Sequence, residues 1–192
     1  MAAWRWWASV LLVLAVLLGI TPSLQAGAAP GGERAQPLMA RVAEVIDGDT
    51  IKVRTIAARP RVRTVELLGI DAPEKRPGQV ECGGRQATSN ILQLTFTAPR
   101  DTDGDHFFDA RGGAGRHVTL TPDPTRQGFY VKTTGGKQLQ LDQLIRGWAK
   151  VAAGPRRFRR YRLFRRAQAD AIVARHGVWS KCGGNFHLSS PP

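Results

Sequence analysis

Two short acidic runs carry most of the chemistry available to this sequence. Val45-Ile46-Asp47-Gly48-Asp49-Thr50 is followed about twenty residues later by Leu67-Leu68-Gly69-Ile70-Asp71-Ala72-Pro73-Glu74. Apolar, strand-type residues flank both runs, so the carboxylates fall at strand ends where a hairpin can gather them. Hard oxygen donors placed this way suit Ca2+ or Mg2+ far better than zinc. The competing reading is two ordinary polar turns in which Asp and Gly serve local hydrogen bonding. A third feature is basic: Arg156 to Arg166 contains seven arginines interleaved with Phe158, Tyr161, Leu163 and Phe164. The aromatics recur at helical spacing and read as a packing face. The arginines, among them Arg156, Arg157, Arg159 and Arg160, read as a solvated face that attracts phosphate with strong salt dependence and no sequence choice.

The elements that must position these groups follow from periodicity. Structure is expected to begin near Met39. Arg41 to Ile46 and Thr50 to Ile56 alternate apolar and polar residues around the Asp47-Gly48-Asp49 turn, which is a hairpin signature. Val62 to Ile70 reads as a third strand running into the Asp71 to Glu74 turn. His117 to Leu120 and Phe129 to Lys132 are two further strands. Helices are expected over Gly84 to Phe96, stopped by Pro99, over Gln138 to Arg146, and over Arg157 to Arg175, with Gly177 as the last stop signal. This predicts an α+β chain: a five-stranded OB-type β-barrel, able to close around one core and leave a binding face, with three helices. Asp101-Thr102-Asp103-Gly104-Asp105 superficially resembles a calcium loop but lacks the closing Glu, so residues 99–116 read as a solvated insertion.

The chain has 192 residues, 42% hydrophobic and 22% charged, enough for one domain with its own core. That balance excludes a wholly disordered, collagen-like or disulfide-scaffold protein. Arg5 is the one charge in the first 26 residues, and it precedes a run from Ala8 to Ile20 and then small residues. This is the layout of a secretory signal over 1–26, with cleavage after Ala26 or Ala28 and a linker over 27–38. The run is shorter than the roughly 20 residues of a spanning helix, so the expected destination is outside the cell or in the envelope, with no membrane contact after cleavage. The net charge of +13 falls by only one when the leader is removed and favours polyanionic partners. Cys82 and Cys182 most simply pair in an oxidising compartment, the alternative being two buried thiols. The four histidines are scattered and read as surface or structural residues.

The order IDGDT, LLGIDAPE, ECGGRQA, a strand pair, LIRGWAKV and finally GVW before Cys182 resembles the thermonuclease, or staphylococcal nuclease-like, family over roughly Arg41 to Cys182. The resemblance implies a nuclease-like OB domain over 39–182 followed by a tail over 183–192. It implies hydrolysis of DNA and RNA phosphodiester bonds with Ca2+ and low sequence specificity. By that resemblance Asp49 and Asp71 hold the metal with the Ala72 carbonyl, Glu74 activates the attacking water, and Arg126 binds the phosphate. Asp47 reads as a residue that shapes the turn. Single-stranded DNA or RNA is the favoured substrate because an open cleft reaches a flexible backbone more easily. No stable protein partner is implied, and a monomer is expected.

The chain departs from the family pattern in two places. Glu66 stands five residues before Asp71, where members commonly carry Arg, and Arg63 alternates to the opposite face of a regular strand from Glu66. The loop before the fifth strand is abbreviated to Asp123-Pro124-Thr125-Arg126-Gln127-Gly128. The alternative function is therefore a catalytically impaired OB-type nucleic-acid or polyanion-binding protein. Sequencing the N-terminus of the exported protein is expected to find Gly27 or Ala29 first; an intact Met1 or Ala2 would instead indicate a membrane-tethered form.

Overall fold

The computed structural model describes residues 36–76, 78–102, 104, 114–154 and 158–189. β1 (Leu38–Val45), β2 (Thr50–Thr55), β3 (Val62–Glu66), β7 (His117–Pro122) and β8 (Phe129–Thr133) form one antiparallel sheet in the order β3-β2-β1-β7-β8. Its register pairs Val42 with Val53, Ile51 with Val65, Ala40 with Val118 and Leu120 with Val131. These same residues are buried, so the alternation that predicts the strands also selects the face that meets the core.

Four two-residue strands make smaller pairs: β4 (Ile70–Asp71) with β9 (Lys150–Val151), and β5 (Lys75–Arg76) with β6 (Gln79–Val80). The expected third strand therefore stops short of Ile70. Leu67 and Leu68 are consecutive and both buried, which breaks the two-residue alternation, and Gly69 turns the chain at φ 85°. A side chain on Gly69 would collide with the Phe158 ring, which packs directly over it.

Among the described residues there are four helices rather than three: α1 (Gly84–Thr95), α2 (Leu139–Ile145), α3 (Tyr161–Val173) and α4 (Val178–Lys181). The first two match their expected positions closely. α3 starts after Arg157 because the preceding residues do other work: Phe158 is buried and the Arg159 N–H bonds to Asp123 at 2.9 Å. Gly177 is not what stops that helix: it ends at Val173, Arg175 turns the chain at φ 53°, and Gly177 instead leads into α4, where Val178 is buried beside Cys182 and Phe186. The aromatic stripe packs as its spacing predicts, with Phe158 5.3 Å from Phe164 and Tyr130 6.1 Å from Phe164 between ring centres.

Buried glutamines fasten helices to the sheet. Gln140 accepts the Val131 N–H at 3.1 Å and donates to the Phe129 carbonyl at 2.9 Å, satisfying both groups at the edge of β8. Gln143 accepts from Asn90 of α1 at 2.7 Å and donates to the carbonyls of Ala87 and Gly48. Gln168 of α3 accepts the Val151 N–H at 2.6 Å. Each amide meets backbone groups that would otherwise be buried without partners.

The leader expected over 1–26 and most of the linker lie outside the described residues, though Leu38 already belongs to β1. The expected tail is tied back: the sulfurs of Cys82 and Cys182 are bonded, the Cys82 N–H donates to the Leu188 carbonyl at 2.7 Å, and Glu81 bridges to Ser189. Among the described residues no helix is long and apolar enough to cross a membrane.

Gly48 is a tight joint between the acidic turns, since an added Cβ would lie 2.6 Å from Ala87 Cβ and 2.8 Å from Ala72 Cβ. Gly48→Ala is expected to cost about 1–3 kcal/mol of stability through overpacking. Gly135→Ala, where the nearest atom is 3.8 Å away, should stay within about 0.5 kcal/mol of the parent. Urea unfolding of both variants checks this; equal stability would remove the packing argument for Gly48.

Candidate functional site

The turn between β1 and β2 is held from inside and outside. The Ile46 and Asp47 N–H groups both donate to the Thr50 carbonyl, and the Asp49 N–H donates to Asp47 Oδ1 at 3.1 Å. Asp47 is buried, in keeping with a turn-shaping role. Asp49 then reaches across to the second acidic run: its Oδ2 accepts the Ala72 N–H at 2.7 Å while Oδ1 accepts the Thr50 hydroxyl at 2.9 Å. One carboxylate thus joins the two runs. Burial pushes the Asp49 carboxyl up to about 7, with the nearby Asp47 charge adding to it, although the Ala72 and Thr50 hydrogen bonds pull the other way.

Asp71 pairs in register with Lys150 across β4 and β9. Its Oδ2 lies 3.3 Å from Lys150 Nζ and 3.3 Å from His187 Nε2. His187 Nδ1 faces Glu81 Oε2 at 3.2 Å, and that same Glu81 oxygen accepts the Glu74 N–H at 2.8 Å. The Glu81 N–H donates back to the Glu74 carbonyl at 3.0 Å. Glu74 is therefore clamped through its backbone on both sides, and Gly84 permits the close approach, since a Cβ there would lie 2.3 Å from the Glu74 carbonyl oxygen.

These residues meet in one cleft of about 810 Å3 whose walls include Asp49, Asp71, Glu74 and Arg126. Ala72 is buried and tied by its N–H to Asp49 rather than lining the cleft. Glu66 is exposed and does line it, so its carboxylate sits on the cleft wall. The short loop that carries Arg126 is anchored by Asp123. Burial alone would raise the Asp123 carboxyl, but hydrogen bonds from Thr125, Tyr130 and the Arg159 N–H outweigh it and hold the group near about 2. The Tyr130 hydroxyl is correspondingly pushed up by burial and by that carboxylate. Arg160 lies over the Tyr130 ring at 4.4 Å.

Of the basic residues singled out earlier, Arg159 is exposed and Arg160 half-buried, while Arg156 and Arg157 lie outside the described residues. So do Asp103 and Asp105 of the Asp101 to Asp105 run; the Asp101 side chain accepts the Gly104 N–H at 2.8 Å. Lys150, His187 and Glu81 are site residues that pattern reading missed. The one available signal was the pairing of Cys82 with Cys182, which brings the residues after Cys182 beside Glu81.

The donor chemistry at the cleft fits a hard divalent cation: the carboxylates of Asp49 and Asp71 and nearby backbone carbonyls are all oxygen ligands. Among the described residues, no three His, Cys, Asp or Glu side chains already converge as a metal cage, and the charge on Asp71 is met by Lys150. Neither a protein-family model nor a curated protein matches this chain.

The raised Asp49 carboxyl has a definite pH consequence. Its ordinary value is 3.8 and its folded value about 7, so between those values the folded chain holds a proton that the unfolded chain has lost. Its contribution to stability falls as pH rises through that window. Asp49→Asn is expected to gain about 1–3 kcal/mol relative to the parent between pH 4 and pH 8 in chelator. Urea unfolding at the two pH values tests this, and an identical pH dependence in parent and variant would refute the burial penalty.

Proposed function

We propose that this protein is an exported, calcium-dependent phosphodiesterase that cleaves DNA and RNA with little sequence specificity, on an OB-type barrel. The observation that carries the reading is the single cleft lined by Asp49, Asp71, Glu74 and Arg126. The barrel reading is supported at the two edges of the sheet, where Leu67 forms a parallel bridge to Phe129 and the Leu68 N–H donates to the Phe129 carbonyl at 3.2 Å.

In this reading Asp49 and Asp71 hold the cation. Bound calcium would neutralise phosphate charge and make the phosphorus more open to attack. Glu74 takes the proton of the attacking water, and its backbone clamp to Glu81 keeps the carboxylate on the cleft. Arg126 binds the phosphate and meets the charge that builds as the new P–O bond forms and the old one breaks. Low sequence specificity follows from a site built to grip backbone phosphate rather than base edges. Export rests on the leader pattern and agrees with the Cys82–Cys182 bond.

Glu66 on the cleft wall favours a second reading, a polynucleotide binder with impaired catalysis, because a carboxylate there repels a phosphate. Cleavage of single-stranded DNA by residues 27–192, with Ca2+ and with chelator, separates the two. Calcium-dependent cleavage is expected, and Glu74→Gln should slow it about 10²- to 10⁴-fold with folding intact. Intact DNA with a folded parent would establish the binder, and equal rates for parent and Glu74→Gln would remove Glu74 from the chemistry.

A further inference from the structure

β3 carries opposite charges on its two sides. Glu66 lines the cleft, whereas Arg63 lines a second groove of about 430 Å3 together with Pro122, Asp123, Arg126 and Phe129. The two depressions share Thr64, Val65 and the Arg126 to Phe129 segment, so they are contiguous and Arg126 belongs to both. Arg63 is exposed, and among the described residues its guanidinium has no ion-pair partner. Among the described residues lining the groove the one acid is Asp123, whose carboxylate oxygens are taken up by Thr125, Tyr130 and the Arg159 N–H. Through that last bond the exposed Arg159 begins a basic surface beside the groove, and Arg160 follows over Tyr130.

We propose that this groove is a second phosphate subsite, in which Arg63 takes the phosphodiester next to the one that Arg126 holds in the cleft, so that the ligand is an extended single-stranded polynucleotide. The inference rests on the phosphodiesterase reading and adds the path by which the substrate strand leaves the cleft. Electrostatics sets that path. Glu66 repels phosphate from one side of β3, while the planar guanidinium of Arg63 offers paired donors to phosphate oxygens on the other. The chain thus carries its cation on β3 three residues earlier and on the reverse side of the strand, which moves the favoured phosphate from the cleft wall into the neighbouring groove.

The test is binding of a fluorescein-labelled thymidine dodecanucleotide, followed by anisotropy in chelator over a salt series. Arg63→Gln is expected to weaken binding by roughly 5- to 20-fold and to reduce the slope of log affinity against log salt by about 0.7, the loss of one single-strand phosphate contact. Arg63→Lys should restore part of the affinity, and Arg54→Gln, an exposed change on β2, should bind like the parent. Parent-like affinity and salt slope in Arg63→Gln would overturn the subsite, as would a parent that binds no oligonucleotide. Adding Ca2+ to the same samples tells the two readings apart. Arg63-dependent binding without cleavage supports the subsite and refutes the phosphodiesterase, whereas cleavage with Arg63-independent binding does the reverse.

Discussion

The side-chain amide of Gln143 is the joint on which the arrangement depends. It is fully buried in α2, yet it reaches the Gly48 carbonyl in the first acidic turn, the Ala87 carbonyl in α1 and the Asn90 side chain. A buried amide placed this way satisfies three polar groups at once, and each left alone would cost about 1–3 kcal/mol. The geometry also explains why position 48 has no side chain: the space a methyl group would need is filled by Ala87 and Ala72. Helix and hairpin are thus drawn to one point by this amide.

From that point the cleft follows almost mechanically. With Gly48 fixed, Asp49 is left facing the Ala72 N–H, and their bond sets the separation of the two acidic runs. The second run is then held at its far end by Glu81, which grips the Glu74 backbone from both sides. The cost is a carboxylate at Asp49 that is disfavoured by burial and by its neighbour Asp47. A site that concentrates negative charge in this way opposes its own folding in the absence of a counter-charge, and Lys150 supplies part of one at Asp71. Tension of this kind is common where a fold serves chemistry rather than stability.

Most of the framework was legible from the sequence because it rests on local rules. The five main strands come from alternation, which survives wherever one face is buried, and the first two helices from a repeated apolar stripe with clear stops. The acidic runs were legible for the same reason, lying at the ends of those strands. The failures have a shared cause. The third strand ends early because Leu67 and Leu68 are both buried, and the fourth helix exists because Val178 finds a pocket beside Cys182. The partners of Asp71 come from positions 150 and 187, and the network at Gln143 spans more than fifty residues of chain. No local pattern encodes such meetings; they depend on how separate elements dock.

The bond between Cys82 and Cys182 has a topological consequence. It turns residues 82 to 182 into a covalent ring that includes α1, α2, α3 and most of the sheet's second half. A protease that cuts that stretch once opens the ring without dividing the molecule, so both ends of the cut remain attached to the same chain. Only a second cut within the ring, or one outside it, can release a fragment. A single nick between Cys82 and Cys182 is thereby converted from a separation into a break that leaves both pieces covalently joined.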